Sequence, residues 1–317
     1  MRQLFVLCFK SLLFFNIFTI FIASQQLIAK EPETNKKKLV ISTTFTILQD
    51  IAQNIVGDKG TVVSITKPGA EIHDYEPTPK DIQKIQNSDL IIYNGMNLEA
   101  WFDKFYQDIA TTPKLIATDS IKPIYVKDEK GNLTQIPNPH AWMSPKNALI
   151  YVTNIKNALI TIDPSNKEYY ESNAAAYANQ IVELSQRFEK RLARVSNDSQ
   201  SKWLVTSEGA FSYLASDYNL NEAYIYPINT EGQVKPKQLS ALIDLVNAYK
   251  IPVIFSETTT SDRPAKTIVE ETNAHYGGQL YVDSLSESDG EVPTYLSLLE
   301  TTLSRIALGY ETIRDED

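Results

Sequence analysis

One stretch constrains this chain more than any other, the apolar stripe that begins just after Ser165. Tyr170, Ala174, Tyr177, Ile181, Leu184, Phe188 and Leu192 recur at steps of three and four residues, the pattern of one continuous helix face. Asp163-Pro164 stops whatever precedes it, and Ser165 with Glu168 reads as a capping box at the helix start. A helix of about 30 residues, rising about 1.5 Å at each, spans roughly 45 Å. That exceeds the usual helix inside one domain. Two readings follow: a long core helix, or a spine between two domains. The flanking chain favours the spine, because strand and helix patterns alternate on both sides of it.

Before the stripe, strands are expected over 39–42, 61–66, 89–93 and 114–117, and helices over 45–55, 79–87, 98–108 and 145–161. Thr78 caps the second of these helices, with Pro79 at its first position. A hairpin is expected over 124–136. After the stripe, strands are expected over 203–206, 222–226, 252–255 and 279–282, with helices over 211–218, 236–249, 264–275 and 293–313. Gly277-Gly278 is read as the stop of the third of these helices. The expected fold class is α/β: two lobes, each a mainly parallel sheet flanked by helices, joined by one long rigid helix. The boundaries are 30–164, 165–196 and 197–317.

Residues 1–29 follow a different rule. Arg2 and Lys10 precede an apolar run, small residues stand at Ser24 and Ala29, and no acidic residue occurs before Glu31. This reads as a signal peptide cut after Ser24 or Ala29, with a membrane anchor as the alternative. The chain is therefore expected to be exported. Cys8, the only cysteine, lies inside this leader without a lipoprotein processing pattern, so no lipid anchor and no disulfide are expected. The formal net charge of −9 argues against nucleic acid as a partner.

In open α/β sheets ligands sit beyond the carboxyl ends of strands. His73 and His140 before the stripe, and Glu208 and Asp283 after it, lie in such places. Two imidazoles and two carboxylates facing one cleft would form a four-residue metal site. A divalent cation would neutralise its charge, which makes burial of the carboxylates tolerable. With no thiolate available, the mixed nitrogen and oxygen donor set suits Mn²⁺ or Fe²⁺, and Zn²⁺ can compete. Glu257 is the alternative carboxylate, and Asn138, Ser207 and Ser284 are candidates for orienting the ligands. The segment 284–291 is read as a mobile lip beside Asp283. The rival reading, a secreted metallohydrolase, finds no H-E-x-x-H and no Ser/His/Asp arrangement.

Several segments carry a resemblance. They are Gly-Ala-Glu-Ile-His73-Asp-Tyr-Glu-Pro-Thr-Pro, Asn-Pro-His140-Ala-Trp-Met-Ser-Pro, Thr206-Ser-Glu208-Gly-Ala-Phe, Phe255-Ser-Glu-Thr-Thr-Thr-Ser-Asp-Arg-Pro and Gly277-Gly-Gln-Leu-Tyr-Val-Asp283-Ser-Leu-Ser. Together they resemble the metal-binding receptors of ABC transporters, the zinc/manganese/iron group of periplasmic solute-binding proteins. The resemblance covers nearly all of the chain after the leader. It implies two lobes around one long helix, a metal in the cleft between them at His73, His140, Glu208 and Asp283, and delivery to an ABC transporter permease in the inner membrane. It implies a monomeric carrier and not an enzyme. Exported members of the family also serve as adhesins, a reading that needs surface anchoring. Zinc receptors of the group typically carry a third histidine where this chain has Glu208, and often a histidine-rich loop where 122–139 has no histidine. The resemblance is therefore to the manganese/iron branch. His275 lies at no motif position and is read as structural or solvated, on the helix before the last strand.

Overall fold

The computed structural model describes residues 37–102, 111–127, 131–195, 202–228 and 234–314. The expected signal peptide and Cys8 lie outside the described residues, as does most of the helix expected over 98–108. The described residues from 38 onward form one compact unit.

The first half of this unit is built on a four-stranded parallel sheet. Its strands are β1 (Leu39–Thr43), β2 (Gly60–Ser64), β3 (Leu90–Tyr93) and β4 (Lys114–Ile116), in the order β2-β1-β3-β4. Helix α1 (Thr46–Val56) buries Ile47, Leu48, Ile51, Ala52 and Ile55 against it. Helix α2 (Pro79–Gln86) starts at a closed capping box, in which Asp81 Oδ2 accepts from the Thr78 N–H at 2.9 Å and its hydroxyl at 2.7 Å. The hairpin forms as β5 (Tyr125–Lys127) and β6 (Leu133–Pro137), antiparallel. Helix α3 (Pro145–Ile162) follows, with Ser144 accepting from the Asn147 amide at its N-cap.

Helix α4 (Lys167–Val195) is the expected long helix. All seven stripe residues are buried and belong to a single apolar cluster that also holds residues of both halves, from Ile41 to Tyr310. Its N-terminal part binds the first half: Tyr177 Oη donates to Asp50 Oδ2 at 2.9 Å and Asn173 Nδ2 to Ile55 O at 3.0 Å. Its C-terminal part binds the second: Phe188 meets Tyr218 edge-on at 4.6 Å, and Arg191 pairs with Glu311 at 2.8 Å. The helix therefore packs against both halves of the unit through one buried face. It begins at Lys167, two residues later than the expected box, after a 3-10 turn at Pro164–Asn166. The reason is Asp163, whose carboxylate accepts from Ser165 Oγ, Asn166 Nδ2 and Tyr170 Oη at 2.6–2.8 Å and holds the turn in place.

The second half carries two parallel pairs, β7 (Trp203–Glu208) with β8 (Asn221–Tyr226) and β9 (Val253–Glu257) with β10 (His275–Leu280), and β7 runs beside β9. Helices α5 (Ser212–Asp217), α6 (Pro236–Tyr249), α7 (Arg263–Glu270) and α8 (Tyr295–Arg314) complete it. One expectation fails here. Helix α7 ends at Glu270, His275 opens β10 instead of closing a helix, and Gly277-Gly278 sit inside the strand. The ring of Phe255 explains the first glycine: a Cβ on Gly277 would lie 2.2 Å from its Cε1. A bulge between Tyr276 and Gln279 absorbs the left-handed φ of 95° at Gly278.

Candidate metal centre

Each candidate residue is placed by a different element. His73 lies in the loop after β2, where Glu71 accepts from the backbone N–H of His73 and of Asp74, both at 2.9 Å. His140 precedes the 3-10 turn Ala141–Met143. Glu208 is the last residue of β7, and Asp283 follows the end of β10. All four side chains are buried, and one ligand atom from each lies within 4.8 Å of the others. His73 Nε2 is 3.1 Å from His140 Nε2, and His140 Nε2 is 3.4 Å from Asp283 Oδ1.

The electrostatics are those of a cluster built for positive charge. Burial drives His73 down to about 4, helped by the neighbouring His140 and opposed by Asp283. His73 is therefore a neutral imidazole at neutral pH, the form that ligates metals. Burial pushes Asp283 up, but the two imidazoles beside it, His140 foremost, and the Thr259 hydroxyl bring it below the ordinary carboxylate range. Thr259 Oγ1 donates to Asp283 Oδ2 at 3.1 Å, whereas Oδ1, on the His140 side, is buried without a hydrogen bond. An orphaned carboxylate oxygen is costly in a protein interior unless a cation meets it.

Glu257, the alternative carboxylate, is not in the cluster. Its Oε1 accepts from the backbone N–H of Ser207 at 3.0 Å and of Glu208 at 3.3 Å, so it holds the end of β7. Burial raises it to about 8 against those hydrogen bonds. Of the candidate orienting groups, Asn138 contacts a cluster residue: its Oδ1 accepts from His140 Nδ1 at 2.8 Å. The Ser207 hydroxyl is buried without a hydrogen bond. Ser284 Oγ instead accepts from the Gly69 N–H at 2.8 Å, and Leu285 N–H donates to Thr46 Oγ1 at 3.0 Å. The start of the expected lip is thus tied to the first half. Thr259 was not singled out by sequence, although it stands two residues beyond Glu257 in the threonine run.

Residues 41–309 match the family model described as zinc-uptake complex component A, periplasmic. The chain is 53% identical over 293 residues to the iron-binding protein YfeA of Yersinia pestis, covering 92% of this chain and 93% of that protein. It is 36% identical over 289 residues to the manganese ABC transporter substrate-binding lipoprotein PsaA of Streptococcus anginosus, covering 88% and 92%. Among solved structures, the Mn-bound periplasmic metal binding protein of Candidatus Liberibacter asiaticus superposes with a TM-score of 0.80 at 43% identity, over 86% of this chain and all of that one. The chain belongs to the family of periplasmic metal-binding receptors that serve zinc, manganese and iron ABC transporters.

Proposed function

We propose that this protein captures Mn²⁺ or Fe²⁺ in the periplasm, between His73, His140, Glu208 and Asp283, and delivers it as a monomer to an ABC permease in the inner membrane. The observation that carries the reading is the buried cluster itself, two imidazoles and two carboxylates with ligand atoms within 4.8 Å of one another. Four protein donors of this kind enclose a divalent ion and balance its charge. Relatives named for iron and for manganese, and a Mn-bound neighbour, support the same cargo. The oxygen donor at Glu208 favours Mn²⁺ or Fe²⁺ over a zinc-specific site, with Zn²⁺ as the competitor. The lobes 30–164 and 197–317 then act as the two walls, and 165–196 as the strut that limits their motion.

The test is a thermal melt of chelator-stripped protein with Mn²⁺, anaerobic Fe²⁺ and Zn²⁺, on wild type and Glu208→Ala. Metal at about 100 times its Kd adds about 2.7 kcal/mol, which raises the Tm by roughly 4–5 °C for a chain of this size. A rise with Mn²⁺ or Fe²⁺ that disappears in Glu208→Ala is the expected result. Stabilisation by Zn²⁺ alone, unaltered in the variant, would move the chain to the zinc branch and remove Glu208 from the site.

A further inference from the structure

Three of the cluster residues have an adjoining backbone carbonyl held by a buried side-chain N–H. Trp101 Nε1 donates to Ile72 O at 3.0 Å, one residue before His73. Asn138 Nδ2 donates to Gly209 O at 2.7 Å, one residue after Glu208. Trp142 Nε1 donates to Val282 O at 2.8 Å, one residue before Asp283. His140 is gripped directly, since Asn138 Oδ1 accepts from its backbone N–H at 3.0 Å and from its ring Nδ1 at 2.8 Å.

The direction of these bonds is fixed. The His140 backbone N–H can only donate and the Gly209 carbonyl can only accept, so Asn138 Oδ1 faces the first and Nδ2 the second, with Nδ2 also reaching Ser212 Oγ at 3.1 Å. The Asn138 amide then has both donors and both acceptor sites in use. Turning it over would set donor against donor at His140 and acceptor against acceptor at Gly209. Nδ1 of His140 therefore carries the proton, and the bare Nε2 faces His73 and Asp283. The two indoles are held by their own neighbours: Trp101 packs at a tilt against Tyr75 at 5.3 Å, and Trp142 against Phe45 at 5.0 Å. Asn138 and Trp142 stand two residues on either side of His140. One short segment of the first half thus reaches the peptide groups beside both carboxylates of the second.

We propose that Trp101, Asn138 and Trp142 are positioning residues for metal capture. They pin the peptide groups next to the ligands and set the spacing of all four donors before the metal arrives. The inference rests on the reading of the cluster as the metal site. No group in it changes protonation; the effect is purely on placement and on which ring nitrogen of His140 is bare.

The experiment uses the full protein stripped with chelator and titrated with Mn²⁺. Trp101→Phe and Trp142→Phe keep a ring in place and delete the N–H, and each is expected to weaken Mn²⁺ binding by about tenfold or more, the usual effect of losing a group that orients a ligand. Their Mn²⁺ electron paramagnetic resonance spectra, which report the symmetry of the ligand shell in folded, loaded molecules, are expected to differ from wild type. Trp203→Phe is the control. This tryptophan packs on Tyr249 at 5.0 Å and touches no peptide group beside a ligand, so spectrum and affinity are expected to hold. Asn138→Ala is expected to move His140 away from the Nδ1–H tautomer, read from the ¹⁵N shifts of the ring in the metal-free protein. Wild-type affinity and spectra in both indole variants, or an unchanged His140 tautomer in Asn138→Ala, would overturn the proposal. Failure of the site reading looks different: His140→Ala would then bind Mn²⁺ as wild type does.

Discussion

Glu222 offers a quantitative check on how this interior treats charge. Its carboxyl sits at the outer end of the hydrogen-bond chain that reaches His140 through Ser212 and Asn138. Oε2 accepts from Ser212, while Oε1 is buried without a hydrogen bond. Burial raises the group to about 7 from 4.5, opposed by the Ser212 hydroxyl, the Phe211 N–H and the charge of Lys127. The folded state therefore binds a proton that the unfolded chain has released by pH 5 or so. For an acid raised in this way, stability is full below the unfolded value and falls as pH climbs to the folded value. A rise of about 2.5 units at about 1.36 kcal/mol each makes the loss about 3 kcal/mol. Glu222→Gln mimics the protonated acid at every pH, and its amide oxygen can take the Ser212 hydrogen. Its amide nitrogen lacks a partner, at a cost of about 1 kcal/mol. The variant should thus be slightly less stable than wild type near pH 4.5 and about 2 kcal/mol more stable near pH 8.5. Urea unfolding in excess chelator, at half-unit steps between those limits, measures the difference without any metal contribution. A difference that stays flat with pH would refute the argument, because it would mean that Glu222 ionises in the ordinary carboxylate range.

Three other perturbations follow from packing and placement. Phe188→Ala removes a buried ring from the face of α4 that meets Tyr218, and urea unfolding should show a loss of about 3–5 kcal/mol. Gly277→Ala puts a methyl into the Phe255 ring and should cost about 1–3 kcal/mol in the same assay; a neutral result would mean that β10 yields freely. His275, an exposed residue outside the cluster, should be replaceable by alanine with no change in the Mn²⁺ titration.

The parts of this structure that were legible in the sequence are those with local periodicity. The stripe from Tyr170 to Leu192 announces its own burial, and strand–helix alternation announces parallel sheets. What the sequence does not display is contact across distance. Gly277-Gly278 looks like a helix stop because the ring that excludes a side chain at Gly277, Phe255, belongs to another strand, and the bulge that needs a positive φ at Gly278 is set by the pairing of the two strands. The 3-10 turn before the long helix is hidden for the same reason: Asp163, which holds it through Ser165, Asn166 and Tyr170, reads in sequence only as a stop signal with Pro164. The tryptophans beside the cluster reach carbonyls 29 and 140 residues away, and no spacing rule points to either. The four cluster residues were legible for a different reason: strand ends are where open α/β sheets expose their chemistry, and the motifs around those ends are themselves distinctive.

Glu208 and Glu257 show where that logic stops. Each is the last residue of its strand, and β7 and β9 run side by side, so strand-end position gives both acids an equal claim. The backbone breaks the tie. The final amides of β7 need an acceptor, and Glu257 Oε1 supplies it, leaning across to the N–H of Ser207 and of Glu208. A carboxyl spent on those amides does not face the histidines. Burial also raises it to about 8, which leaves it mostly protonated at neutral pH and a weak donor to a metal. The same contact fixes the backbone from which Glu208 projects into the cluster. One glutamate is thereby the scaffold and the other the candidate ligand, a division of labour that rests on two backbone N–H groups of one strand donating to a single side-chain oxygen of its neighbour.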